Sequence, residues 1–219
     1  MKQLYIASIR AHAIGEGPGR RTAIFVSGCS IRCPGCQNPH LFERSTGRTM
    51  TVDEVIAVVI AAKDTGVSLL GGEPLDQAEG VAKLCAVLRA QNIHTVVYTG
   101  YLYEKLTVRS QSDLAVRDIL NTADVLVDGP YVEALGDENI QFRGSRNQRV
   151  IDLPRTRASG SLTLLDWDTR LTILLQSGAI NVPACDTTRP LIRLLGEPEA
   201  EHVCGHVAPD SIPNTEKGI

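Results

Sequence analysis

Residues 21–36 read RTAIFVSGCSIRCPGC and join a short apolar segment to three closely spaced cysteines. The β-branched and aromatic residues between positions 21 and 27 predict a buried β-strand. Cys29, Cys33 and Cys36 follow at once, so they are expected on the loop that leaves this strand. Their crowding into eight residues makes them the first candidates for chemistry.

Strands and helices alternate on either side of this pattern. Thr51 and Glu54 have the spacing of a capping box, which predicts that a helix starts there and ends near Gly66. The same criteria predict further strands, at residues 67–70, 93–98, 125–127, 149–151, 162–167 and 171–175. They predict further helices, over residues 77–91 and after a cap at Ser112.

This alternation predicts an α/β fold built from βα units with a parallel sheet. Functional residues of such folds gather at the carboxyl ends of the strands. The cysteine loop, the Gly-Gly-Glu-Pro turn at residues 71–74 and Thr99 all follow predicted strands. A complete eight-fold barrel takes about 250 residues. The 219 residues here contain too few units for one, so an incomplete (β/α) barrel or an open sheet is expected.

Composition excludes several classes of protein. Apolar residues make up 43% and charged residues 21%, and the net charge is −3, which argues against disorder and against a general nucleic-acid binder. The longest apolar run, residues 55–62, is far shorter than the roughly 20 residues of a membrane span. No secretory signal is apparent at the N-terminus. We therefore expect a cytoplasmic protein with reduced thiols, bound neither to membrane nor to nucleic acid.

The other three cysteines are scattered. Cys85 shares helical spacing with Val81, Leu84 and Leu88, so we expect it in the core. Cys185 has no partner motif nearby. Cys204 lies in a polar, proline-containing stretch, and residues 196–219 are expected to be a disordered tail.

Three interpretations of the cysteine loop compete. Cys29, Cys33, Cys36 and His40 could form a structural zinc site. Cys33 and Cys36 alone could form a redox dithiol. Alternatively, the three cysteines bind a [4Fe–4S] cluster, which normally takes four thiolates, so that one iron is left without a protein ligand.

The motifs around the cysteines resemble those of the radical S-adenosylmethionine family. The Cys29-x₃-Cys33-x₂-Cys36 spacing is that family's cluster motif. The sequence also resembles its activating enzymes of glycyl radical proteins, the anaerobic ribonucleotide reductase type in particular. The segments that carry this likeness are Gly17–Thr22, Phe25–Cys29, Cys33–Pro39, Gly71–Leu75, Tyr98–Tyr101, Val127–Tyr131 and Arg143–Arg149.

The resemblance implies a cofactor set and a reaction. Cys29, Cys33 and Cys36 would bind the [4Fe–4S] cluster, and S-adenosyl-L-methionine would bind at its open iron. Reductive cleavage would give a 5′-deoxyadenosyl radical, which removes hydrogen from a glycine of a partner enzyme. The cofactor-binding residues implied are Gly71, Gly72, Glu73, Asn38 and Thr99.

The same resemblance suggests domain limits and partners. Residues 1–195 would form the radical S-adenosylmethionine domain, with its motifs in residues 16–153. A glycyl radical enzyme is the expected partner, and a flavodoxin or ferredoxin the expected electron donor. The polar segment from Arg143 to Arg149 is interpreted either as a solvated loop or as a contact for a nucleoside, a carboxylate or the partner. An alternative function keeps the radical chemistry but acts on a small molecule or peptide.

Overall fold

A computed structural model describes residues 2–168 of the chain. Its seven strands form one sheet, in the order β3-β1-β2-β4-β5-β6-β7. The strands are β1 Gln3–Ala13, β2 Arg21–Val26, β3 Arg48–Thr51, β4 Gly66–Gly71, β5 His94–Tyr98, β6 Val125–Asp128 and β7 Arg149–Asp152. The α-helices are α1 Val52–Ala62, α2 Ala78–Ala90, α3 Tyr103–Arg109, α4 Leu114–Thr122 and α5 Leu153–Ser159.

The sheet is mixed rather than parallel throughout. β2, β4, β5 and β6 are parallel to one another, as the βα pattern predicts. β1, β3 and β7 pair antiparallel at the two sides. Residues 14–20 join β1 to β2 and residues 129–148 join β6 to β7, in both cases without an α-helix. Antiparallel neighbours need no crossover helix, whereas parallel neighbours do.

Helices cover one face of this sheet. Side chains at alternate strand positions, such as Ile24, Leu69 and Leu126, join the buried faces of the helices in the main core. The opposite face carries two smaller apolar clusters, one around Val96 and Val127 and one around Ala23 and Phe25. The functional site lies on this second face.

The predicted helix after Thr51 is confirmed with its capping box. The Thr51 side chain accepts the Glu54 backbone N–H, and the Glu54 carboxylate accepts that of Thr51. The predicted end at Gly66 is wrong, because α1 stops at Ala62 and Lys63 adopts a left-handed conformation with φ of 53°. Gly66 instead begins β4, where a Cβ would lie 2.6 Å from the Arg21 guanidinium.

Three further sequence predictions need comment. Ser112 does not cap α4; the Asp113 carboxylate does, accepting the N–H groups of Ala115 and Val116. The strand predicted over 162–167 is reduced to a single bridge between Leu164 and Ile151. Cys85 is fully buried in the main core, as predicted.

Other sequence predictions lie outside the described residues. These are the strand at 171–175, the domain boundary after residue 195, and the environments of Cys185 and Cys204. Within residues 2–168, no helix is long and apolar enough to cross a membrane.

The amino ends of the parallel strands are held by a buried arginine. Arg21 is 2% exposed and donates to Ser68 Oγ at 2.8 Å, to the Val67 carbonyl at 2.6 Å and to the His94 carbonyl at 3.1 Å. Burial lowers its pKa to about 10. One side chain thus joins β2, β4 and β5 at the end of the sheet opposite the cysteines.

Replacing this side chain is expected to destabilise the fold. Arg21→Met leaves buried carbonyls without their donors, so the free energy of unfolding should fall by about 3 kcal/mol. Arg20→Met is the matched control; its half-exposed guanidinium pairs with Asp64, and its loss should cost less than about 1 kcal/mol. Urea unfolding measures both. Equal losses in the two variants would contradict the role assigned to Arg21.

Candidate functional site

The cysteine loop is shaped by the backbone that follows it. Gly28, at φ of 92°, leaves β2 and donates its N–H to the Leu41 carbonyl at 2.8 Å. Cys29 donates its N–H to the Phe42 carbonyl at 3.0 Å. The loop therefore folds back over the 3₁₀ turn Pro39–Leu41, and this return keeps the three thiols on one side of the sheet end.

The three cysteines of the loop line a single cavity of about 730 Å³. Each is partly exposed, whereas Cys85 is buried. Burial raises the pKa of the Cys29 thiol above its ordinary value, although the backbone N–H groups of Arg32 and Ile31 oppose this shift. The Cys36 sulfur accepts the backbone N–H of Asn38 at 3.4 Å. The structure thus brings the predicted ligands together, with Asn38 beside them.

The arrangement suits a cluster better than a single ion. Within residues 2–168, no three histidine, cysteine, aspartate or glutamate side chains converge on one metal position. Structural zinc needs four ligands around one ion, and His40, the proposed fourth, does not line the cavity. A [4Fe–4S] cluster instead takes each thiolate on a different iron. Three separated thiols around one cavity meet that requirement.

The turn after β4 lies directly against the cysteine loop. The Gly72 N–H donates to the Val26 carbonyl and the Glu73 N–H to the Gly28 carbonyl, both at 2.8 Å. Gly71 has φ of 104°, a conformation that side chains disfavour. A Cβ on Gly72 would lie 2.4 Å from the Gly28 carbonyl oxygen. Both glycines are therefore required for the two loops to meet.

The Glu73 carboxylate faces the protein. It is 1% exposed, and it accepts from the Leu75 N–H, the Thr99 hydroxyl and the Gly100 N–H, each at 2.9 Å. Burial raises its pKa to about 7, although the three hydrogen bonds oppose this shift. Glu73 and Thr99 thus brace the loops after β4 and β5. Their predicted contact with a cofactor stays a prediction, while both residues do line the cavity.

A second carboxylate, which the sequence motifs do not single out, ties three loops together. Asp76 accepts the Ser30 N–H at 2.7 Å and the Ser30 hydroxyl at 2.9 Å. It also accepts the Tyr101 hydroxyl at 3.0 Å. Ser30 lies between two of the cysteines, so Asp76 fixes the cysteine loop to the turn after β4. The sequence could have pointed to Asp76 through its place in the Pro74–Gln77 turn, beside the glycine motif.

The segment from residue 129 to 148 forms the far wall of the cavity. Arg149 anchors its end by donating to Asp128 and, from two nitrogens at 2.9 Å each, to Glu104. These hydrogen bonds raise the pKa of Arg149 above its ordinary value. Asn147 donates to the Pro130 carbonyl at 2.7 Å. Arg149 and Asn147 therefore hold the wall in place.

Only Arg143 among the arginines of this segment lines the cavity. It donates to the Gln148 carbonyl at 3.3 Å and pairs with Asp168. Arg146 pairs with Asp137. Neighbouring Phe142 meets Trp167 edge to face at 5.3 Å between ring centroids. The wall is thus fastened to residues 167 and 168, and it presents one cation, Arg143, and two aromatic rings, Tyr131 and Phe142, to the cavity.

The close approach of the two loops gives a direct test. Gly72→Ala places a methyl group against the Gly28 carbonyl, so we expect the cavity to distort and reconstituted iron to fall below half of the wild-type content. Gly160→Ala is the matched control. Gly160, unlike Gly72, has positive φ, but a Cβ there meets nothing within 4 Å, so Gly160→Ala should cost about 1 kcal/mol of stability and leave iron binding intact. Normal iron binding by Gly72→Ala would refute the steric argument.

Comparisons with known proteins agree with this geometry. Residues 15–151 match the family model of the 4Fe–4S single cluster domain. The chain is 35% identical over 149 residues to the anaerobic ribonucleoside-triphosphate reductase-activating protein of Salmonella typhi, covering 63% of this chain and 91% of that protein. Its counterpart in Escherichia coli K12 is 36% identical over 146 residues, with the same coverage.

A related activating enzyme is also similar. The pyruvate formate-lyase-activating enzyme of Clostridium pasteurianum is 32% identical over 127 residues, which cover 54% of this chain and 53% of that protein. Residues 15–151, which the family model matches, contain the three cysteines and the glycine turn that the structure places around one cavity. The predicted family is therefore confirmed: the chain belongs to the 4Fe–4S single cluster domain family, together with the anaerobic ribonucleoside-triphosphate reductase-activating proteins.

Proposed function

We propose that this protein activates a glycyl radical enzyme of the anaerobic ribonucleotide reductase type. The observation that carries the proposal is the cavity in which Cys29, Cys33 and Cys36 face the Gly71-Gly72-Glu73 turn. Relatives that carry the activating-protein name align over nine-tenths of their length. When bound, a [4Fe–4S] cluster and S-adenosyl-L-methionine would supply the reducing electron and the 5′-deoxyadenosyl radical.

The cysteine loop would supply three sulfur ligands to the cluster. The backbone N–H groups of Ile31 and Arg32 oppose the rise in the pKa of Cys29 that burial causes, and the Asn38 N–H donates to the Cys36 sulfur at 3.4 Å. Cys85, whose pKa burial raises to about 12, is unsuited to a ligand role. The fourth coordination position is left to a small chelating molecule, for which an amino group and a carboxylate are suitable donors.

The turn after β4 is placed to receive that molecule. Gly71 and Gly72 have no side chains, so their backbone can approach a ligand closely. Glu73 and Thr99 hold the turn by their mutual hydrogen bond, and Asn38 lies across the cavity beside Cys36. These residues orient the molecule rather than react with it, in keeping with the division of work between a protein and its cofactors.

The remaining walls restrict access to the reactive centre. The cavity volume is within the usual range of about 300–1,000 Å³ for small-molecule sites. Phe42, Tyr98 and Phe142 line it, and their rings reduce the water beside a reactive intermediate. A glycine of another polypeptide reaches such a site only if an exposed segment enters the cavity, which favours an extended loop as the substrate.

We also infer that the sheet curves as an incomplete (β/α) barrel. The helices pack on one face and the cavity lies on the other. Four parallel strands stand between antiparallel ones at both sides, which is compatible with an open arc. The predicted electron donor, a flavodoxin or ferredoxin, belongs to the same proposal.

One observation favours a second candidate, a radical enzyme that acts on a small molecule or a different peptide. The similarity to the activating proteins covers 63% of this chain, and a sizeable part has no counterpart in them. The two candidates share the cavity and the cofactors. They differ only in the origin of the hydrogen that is removed.

The test traces the hydrogen atom that the 5′-deoxyadenosyl radical removes. Anaerobically reconstituted protein with dithionite and S-adenosyl-L-methionine should form 5′-deoxyadenosine. Adding a glycyl radical partner with Cα-deuterated glycine should place deuterium in that product and give a glycyl radical signal by electron paramagnetic resonance. Product without deuterium from the partner would favour the second candidate. Tightly held zinc without iron, and no product, would exclude both.

Single substitutions separate ligands from core residues. Cys29→Ala, Cys33→Ala and Cys36→Ala each remove one of three ligands, so product should fall to background. Cys85→Ala is the control, because that side chain is buried in the helix core. It should lower stability by about 1 kcal/mol and retain product formation. Activity that survives loss of any loop cysteine would contradict the ligand assignment.

A further inference from the structure

The far wall of the cavity has little regular secondary structure. Residues 129–148 contain a 3₁₀ turn at Glu133–Leu135 and no α-helix or β-strand. A segment of this kind depends on contacts with the rest of the fold for a fixed position. The contacts around residues 141–143, which line the cavity, therefore determine the shape of this wall.

Phe142 has an unusual backbone conformation within the far wall. Its φ is 56°, in the left-handed region that bulky residues rarely adopt. Such a conformation persists only where the surrounding structure holds it, and it is often found at functional sites. Phe142 also lines the cavity, so the strained residue is one that a ligand in the cavity would meet.

Two consecutive residues beyond β7 hold Phe142 in place. Trp167 meets the Phe142 ring edge to face, at 5.3 Å between ring centroids. The Asp168 carboxylate accepts the Gln141 N–H at 2.8 Å and pairs with the Arg143 guanidinium. Trp167 thus contacts Phe142 itself, and Asp168 binds the residues on both sides of it. We call Trp167 and Asp168 the wall clamp.

The wall clamp is itself anchored on the sheet. The segment before it follows the edge of β7, where Asp152 donates its N–H to the Thr163 carbonyl at 2.9 Å and Leu165 donates to the Val150 carbonyl at 2.8 Å. Trp167 packs against the buried valine cluster of β5, β6 and β7. The wall clamp therefore fixes the far wall relative to these strands.

The ion pair argues against Arg143 as a receptor for an anion. Among residues 2–168, Arg143 is the only lysine, arginine or histidine that lines the cavity. Its guanidinium already pairs with Asp168 and donates to the Gln148 carbonyl at 3.3 Å. A carboxylate or phosphate would have to displace Asp168, so the pair is better suited to holding the wall.

We propose that Trp167 and Asp168 are positioning residues, which hold Phe142 and its neighbours against the polypeptide segment that brings a glycine into the cavity. The inference rests on the proposed function, in which that segment is the substrate. The cysteine loop and the glycine turn follow β2 and β4, whereas the far wall follows β6, two strands beyond β4 in the sheet. The far wall is thus available to the substrate. Neither clamp residue lies within residues 15–151, which the family model matches.

The wall clamp takes no part in the bond changes. In the proposed step the glycine Cα–H bond breaks, a C–H bond of 5′-deoxyadenosine forms, and the unpaired electron stays on the glycine. Such a transfer depends on the placement of the two carbons, since a misplacement of about 1 Å can lower a rate about 100-fold. A loosened wall should therefore uncouple hydrogen transfer from cofactor cleavage.

The test measures which fraction of the 5′-deoxyadenosine carries hydrogen from the partner. Full-length protein is reconstituted anaerobically and given dithionite, S-adenosyl-L-methionine and an anaerobic ribonucleotide reductase that contains Cα-deuterated glycine. Trp167→Ala and Asp168→Asn should keep their iron content and form 5′-deoxyadenosine within about twofold of the wild type, whereas the deuterated fraction and the glycyl radical signal should fall about tenfold.

Leu164→Ala is the matched control for Trp167→Ala. Leu164 lies in the same segment, is 56% exposed and does not line the cavity, so every readout should match the wild type. Trp167→Phe keeps an aromatic ring beside Phe142 and should restore roughly half of the deuterated fraction or more. Phe142→Ala should reproduce the loss, and adding Trp167→Ala to it should change little, because both act through one ring.

Each outcome supports or overturns the positioning role. Wild-type deuterium transfer in Trp167→Ala and Asp168→Asn would overturn it and leave the proposed function standing. Iron content and product that fall in parallel with transfer would also overturn it, because that pattern indicates a purely structural role. If Trp167→Ala fails to fold, Trp167→Phe and Asp168→Asn decide by the same criteria. A wild-type protein whose product carries no deuterium would overturn both.

Discussion

The site depends on the contact between two backbone segments, the loop that leaves β2 and the turn that leaves β4. Gly72 lies so close to the Gly28 carbonyl that a Cβ would be 2.4 Å from its oxygen, and the Glu73 N–H donates to the same carbonyl. Parallel pairing of the two strands, with Val26 opposite Gly71, brings the segments to the same sheet end. The cysteines meet the glycine turn because nothing bulkier than hydrogen separates these backbones.

Two buried or half-buried carboxylates extend this contact to the next loop. Glu73 accepts three hydrogen bonds, two of them from the loop after β5. Asp76 joins Ser30 to Tyr101. A carboxylate with several donors is costly to disrupt, because each donor would lose its partner in a poorly solvated place. The result is a preorganised cavity. The two carboxylates hold its loops together, and the three thiols line it.

Sequence alone predicted the elements that have strong local signals. The strand before Cys29, the capping box at Thr51 and the core position of Cys85 agree with the structure. The parallel sheet was expected from the alternation of strands and helices, and the predicted strands did not include β1 and β3. The direction of β7 depends on its pairing with β6 across residues 129–148, which no local pattern encodes. The predicted end of α1 at Gly66 was also wrong, because Lys63 adopts a left-handed conformation that ends the helix three residues before β4 begins at Gly66.

Motif spacing also predicted which cysteines and glycines form the site. Cys29, Cys33 and Cys36 line one cavity with Gly71 and Gly72, as expected. The bracing role of Asp76 depends on which loops touch, so spacing could not reveal it.

The central claim is that three cysteines leave one iron open to a ligand held at the glycine turn. Electron–nuclear double resonance of the reduced cluster tests it most directly, with S-adenosyl-L-methionine labelled by ¹⁷O in its carboxylate and ¹⁵N in its amino group. Both labels should couple to the cluster spin in the wild-type protein. An intact reduced cluster that shows no coupling to either label would contradict the claim.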